Sequence, residues 1–69
     1  MIEIQDSIGR LIVVLSMRLR HAGKAVYVFV DGRKVAEFPS FTEAARHARS
    51  LAQGRFIEQS GPSVRLTDE

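Results

Sequence analysis

The sequence has no cysteine, no tryptophan and only two prolines, and its aromatic side chains are one tyrosine and four phenylalanines. Without cysteine there is no disulfide framework, no thiolate zinc site and no cysteine nucleophile. That fits a reducing compartment, and a cytoplasmic location is expected. Long apolar runs are missing too: Leu11 to Leu15 is far short of a membrane span. The opening Met1-Ile2-Glu3-Ile4-Gln5-Asp6 is acidic, unlike a secretory signal, so no membrane partner is expected. Neither sign of charge dominates, with a formal net charge of +2. An apolar share of 45% beside 26% charged residues is that of a folded domain, not a disordered chain.

At 69 residues the chain makes a single small domain, residues 1–69. Its apolar burial roughly offsets the entropy of ordering it, and no disulfide or metal staple adds to the balance. Association with a second copy is the expected remedy.

The clearest element is a helix from about Phe41 to Gln53. Ser40 stands at the N-cap, Glu43 completes the capping-box spacing, and Gly54 suits the residue after the helix. Phe41, Ala44, Ala45, Ala48, Leu51 and Ala52 form one apolar stripe. Its centre is alanine, so the helix must lie close to whatever it covers.

A hairpin precedes it. Ala25 to Val30 is β-branched and aromatic, Asp31-Gly32 is a two-residue turn signal, and Arg33 to Phe38 returns. Pairing Val28 with Val35 and Phe29 with Lys34 places Tyr27, Phe29, Ala36 and Phe38 on one face. Val26, Val28, Val30 and Val35 take the other. Both faces are apolar, and one helix covers only one of them.

The N-terminal third has two readings. As strands, Ile2 and Ile4 alternate with Glu3 and Gln5, a turn follows at Asp6 to Gly9, and Leu11, Val13, Leu15, Met17 and Leu19 alternate strictly. As a helix, Ser7 caps a stripe of Ile8, Leu11, Ile12, Leu15 and Leu19 that ends at Gly23. The β-branched run Ile12-Val13-Val14 favours strand; the arginines, leucines and caps favour helix. After the main helix, Arg55 to Gln59 reads as a short strand, Ser60-Gly61-Pro62 as a turn, and Ser63 to Leu66 as a final edge strand. The expected fold is α+β: an antiparallel β-meander of three to four strands, one packed α-helix, and a short C-terminal strand or hairpin.

Catalytic chemistry is thinly provided. His21 and His47 are the only imidazoles, one in a turn and one at the border of the helix stripe, and the carboxylates are scattered. The five glycines are isolated punctuation, not a phosphate-cradling loop. The expectation is a non-enzyme with no catalytic residue, cofactor, metal or small-molecule substrate. Charge says more. Arg18, Arg20, Lys24, Arg33 and Lys34 are expected to gather at the ends and turns of the meander, with Arg46, Arg49 and Arg55 on or after the helix. That set reads either as a phosphate-backbone footprint or as a solvated sheet edge protected against edge-to-edge pairing.

The stretch Phe38-Pro39-Ser40-Phe41-Thr42-Glu43-Ala44-Ala45-Arg46 resembles the strand-to-helix junction of AP2-type plant domains and phage-integrase arm-binding domains. Small bacterial domains of unknown function share a similar junction. The likeness spans about Val26 to Ala52 and implies a three-stranded antiparallel sheet joined to one helix. In those DNA-binding families the sheet face away from the helix enters the major groove with arginine and aromatic side chains. If Tyr27, Phe29, Ala36 and Phe38 take the helix here, the opposite face of Val26, Val28, Val30, Val35 and Glu37 cannot read base edges and resembles an interface.

The expected function is therefore a non-enzymatic, homodimeric interaction module of bacterial or phage type. Its interface is drawn from Leu11, Val13, Leu15, Met17, Leu19, Val26, Val28, Val30 and Val35. A four-residue turn from His21 to Lys24 joins the N-terminal row to the valine face; an odd-length turn places it beside Tyr27 and Phe29. The contact packs face to face or exchanges the strand before Arg10. The alternative is a nucleic-acid-binding accessory protein that grips phosphates through Arg18, Arg20, Lys24, Arg33 and Lys34.

Overall fold

The alternation that begins at Leu11 resolves as strand. In the computed structural model, which describes residues 1–20, 23–61 and 66–67, β1 spans Ile2–Asp6 and β2 spans Leu11–Leu19. The β-branched Ile12, Val13 and Val14 suit a pleated surface, and the helical reading from Ile8 is overturned. There follow β3 (Gly23–Val30), β4 (Arg33–Phe38), the helix α1 (Phe41–Leu51), β5 (Phe56–Ser60) and β6 (Leu66–Thr67). The architecture is α+β, with the sheet order β4-β3-β2-β1-β5 and β6 running parallel beside β2. Pro62, Ser63, Val64, Arg65, Asp68 and Glu69 lie outside the described residues, as do His21 and Ala22. No helix among the described residues is long and apolar enough to cross a membrane.

β5 pairs antiparallel with β1, Ile2 opposite Ser60 and Asp6 opposite Phe56. β1 is thus held between β2 and β5, with Ile4 fully buried. A strand seated this way lacks the loose attachment that the strand-exchange expectation required.

The β3–β4 turn is as the Asp31-Gly32 signal predicts: both residues have positive φ, 50° and 85°, as a two-residue hairpin demands. Phe29 faces Lys34 as expected, but one step on Val28 faces Ala36 instead of Val35. This bulge inserts one extra residue into β4 and moves everything beyond it to the other face. Ala36 and Phe38 therefore join Val26 and Val28 rather than Tyr27 and Phe29. The expected interface residues Val26 and Val28 are fully buried, and Val30 packs against the same core. These three valines belong to the interior. Val35, at the bulge, is left exposed.

A second correction concerns the β2–β3 turn. Leu19 pairs with Gly23, so three residues separate them and the turn is odd. Val13, Leu15 and Met17 consequently stand opposite Phe29, Tyr27 and Ala25 on the face away from α1. The core lies on the other face, where Ile2, Ile4, Ile12, Val14, Val26 and Val28 meet Ala44, Ala45 and Ala48 of the helix. Phe41, Leu51, Ala52, Ala36 and Phe38 close its margins.

The Ser40 hydroxyl accepts a hydrogen bond from the Glu43 amide at 3.2 Å, so the N-cap is where the sequence puts it. The helix ends at Leu51, short of the expected Gln53, with Ala52 in extended backbone as its C-cap. The β1–β2 turn supplies the reason. Gln53 donates its amide to Asp6 Oδ2 at 3.0 Å, and its carbonyl accepts from the Ser7 amide at 3.1 Å. These bonds draw the chain out of the helix. Gly54, at φ 67°, serves that docked turn and not the expected helix terminus.

Candidate interaction surface

The polar side chains with the most partners are structural. Asp6 is buried and accepts from the amides of Ile8, Arg10 and Gln53 and from Arg10 Nε. Arg10 also donates to the Leu51 carbonyl, which ties the β1–β2 turn to the helix end. Arg49 reaches from α1 to β5 and pairs with Glu58 through two hydrogen bonds of 2.8 Å each. The hydrogen bonds and charge of Arg49 hold the Glu58 carboxyl below its usual range, against the opposing effect of partial desolvation. Each of these groups is occupied with its neighbours.

The structure separates the expected basic cluster. Arg18 and Lys24 stand opposite each other at one end of the sheet, with Arg20 in the turn just beyond. Arg33 and Lys34 sit at the other end, opposite Val30 and Phe29. Between Lys24 and Val30 the strand runs roughly 20 Å. Lys34 is engaged as well: its amine lies 4.7 Å from the centre of the Tyr27 ring and 3.5 Å from Glu37 Oε1. Five cations divided in this way make no continuous track for a phosphate backbone.

The sheet face away from α1 is the notable surface. Leu11, Val13, Leu15, Met17 and Leu19 of β2 run beside Tyr27 and Phe29 of β3, whose rings meet edge to face at 6.3 Å. Ile57 of β5 faces the same way and is 67% exposed, and Leu11 is 41% exposed. Among the described strand residues, charge on this face is confined to Glu3, Glu37 and Lys34. No described element packs on it, because α1 lies across the opposite face. Of the predicted interface, Leu11, Val13, Leu15, Met17 and Leu19 are brought together here. Tyr27, Phe29 and Ile57 were missed. Gly23, whose φ of 76° closes the odd turn, was the one signal that could have placed the two aromatics.

Two shallow grooves lie elsewhere on the described surface. One, of about 520 Å³, runs along Gln5, Ser7, Arg55, Phe56 and Ile57 beside the already saturated Asp6. The other, of about 440 Å³, lies between Phe38 and the helix residues Glu43, Arg46, His47 and Ser50. There the His47 ring tilts over Phe38 with centres 5.2 Å apart. Among the described residues no group of three histidine, aspartate or glutamate side chains is placed to hold a metal. No protein-family model, curated protein or solved structure matches the chain.

Proposed function

We propose that the protein is a non-enzymatic, cytoplasmic interaction module that works as a homodimer, its two copies packed through the sheet faces turned away from the helices. The observation that carries this reading is the contiguous apolar surface of Leu11, Val13, Leu15, Met17, Tyr27 and Phe29, on which no described element packs. Its size supports the reading. Five strands ~4.8 Å apart and about seven residues long at ~3.4 Å each give the whole face, polar margins included, an extent on the order of 600 Å² per copy, or roughly 1,200 Å² for a pair. That reaches the lower bound for a stable, specific interface. Its chemistry also suits a second copy, since a self-complementary patch with aromatic anchors and sparse charge is what a two-fold contact uses. The phosphate-binding alternative draws less support, because its five cations divide between opposite ends of the sheet.

The test is mass in solution across protein concentration, by sedimentation or light scattering. The parent is expected to be a dimer whose mass falls on dilution, and Leu15→Lys a folded monomer by circular dichroism. A folded, monomeric parent at about 100 µM, well above what a working dimer needs, overturns the reading. Salt-sensitive binding of random duplex DNA by that monomer promotes the alternative.

A further inference from the structure

One row of side chains crosses the uncovered face at a single height. Lys34, Phe29, Val13, Glu3 and Gln59 stand opposite one another in turn on β4, β3, β2, β1 and β5. A cation begins the row, a carboxylate lies near its far end, and apolar side chains separate them. Glu3 is half-buried beside Val13 and has no ion-pair partner among the described residues. Covering such a carboxylate with an apolar surface is costly unless a cation meets it. Lys34 is the cation on this face among the described strand residues, its amine over the Tyr27 ring and 3.5 Å from Glu37 Oε1 in an exposed pair.

Resting on the homodimer reading, we infer that the two copies are related by a two-fold axis parallel to their strands, so that Lys34 of each copy meets Glu3 of the other. An axis of this kind reverses the strand order and preserves height along the strands. Placed between β2 and β3, it lays β4 of one copy over β1 of the second and β3 over β2. Phe29 then covers Val13, Tyr27 covers Leu15 and Ala25 covers Met17, so the bulkiest and smallest side chains of the patch interdigitate. Aligned sheet packing accommodates this with about 30° between strand directions. The competing axis, perpendicular to the strands, lays β1 on β1. There Glu3 meets Glu3 or Gln5 of the second copy, the β1 side chains on this face, and stays without a cation, while Lys34 approaches Glu37, a carboxylate it already pairs with in its own chain.

The experiment compares the parent with Lys34→Glu, Glu3→Lys, their equimolar mixture and the double-exchange variant, each checked for fold by circular dichroism. Each single variant is expected to self-associate at least tenfold more weakly than the parent. The mixture and the double exchange are expected to return to parental mass. A monomeric parent defeats the homodimer reading itself; a dimeric parent whose weakened variants are not rescued by mixing defeats the pairing alone. Glu3→Gln gives a second readout that does not depend on charge reversal in β4. It is expected to weaken the dimer and remove its salt sensitivity, whereas tighter association would show that Glu3 meets no cation and overturn the assignment.

Discussion

Four protein donors converge on the carboxylate of Asp6, from Ile8, Gln53 and twice from Arg10. Burial by itself pulls this carboxyl upward, but the amides of Gln53 and Arg10, with the Arg10 guanidinium, outweigh it and hold the group below its ordinary value of 3.8. The unfolded chain therefore takes up the proton first as pH falls. The stability Asp6 contributes is complete above the ordinary value and is lost as pH drops through the folded one. Asp6→Asn is expected to lower the urea midpoint clearly at neutral pH and to flatten its decline in acid; a decline as steep as the parent's would assign the acid sensitivity elsewhere. Gly54 is the second residue with a decided cost. A Cβ there meets Ser7 Oγ at 2.5 Å, and that hydroxyl is the one that donates to the Gln53 carbonyl. Together with the left-handed backbone, Gly54→Ala should cost at least about 1 kcal/mol, read by thermal unfolding.

Among the elements, the helix and the β3–β4 turn were legible because their signals are local. Ser40 and Glu43 are three residues apart and touch; Asp31 and Gly32 are neighbours. Removing the cap with Ser40→Ala should cost about 0.5–2 kcal/mol, and unchanged melting would refute its role. The alanine stripe also meant what it predicted, since Ala44 and Ala48 are fully buried against the sheet. Ala48→Leu is accordingly expected to destabilise by about 1–3 kcal/mol through overpacking, with chemical denaturation as the measure. Parity across a bulge was not legible. Period-two patterning assigns faces only while the ladder stays in step, and both Ala36 and Val35 are apolar, so the sequence carried no mark of which was extra. The odd β2–β3 turn misled in the same way, by one residue. Both errors moved the expected apolar patch from beside Tyr27 and Phe29 to beside Val26 and Val28, although the row from Leu11 to Leu19 does share one face, as its alternation predicts. The pairing of β5 with β1 was beyond local reading altogether, because nothing near Phe56 names a partner close to Ile2.

For the whole molecule, the two sheet faces now give substitutions with opposite meanings. Val28→Asp places a charge among fully buried side chains and is expected to unfold the protein. Leu15→Asp on the uncovered face is expected to leave a folded chain of lower mass in solution. If the dimer is what completes the stability of so short a chain, the parent's melting temperature should rise with protein concentration and that of Leu15→Asp should not. β1 is separated in sequence from its outer neighbour by three strands and the helix: its outer edge is closed by β5, whose Ser60 sits opposite Ile2. Until β5 docks, that row of amides and carbonyls stays open to pairing with any other extended chain. A chain in which β1 to α1 have folded and β5 has not docked thus presents a four-stranded sheet with a bare β1 border, and that border is where a chaperone has most to protect.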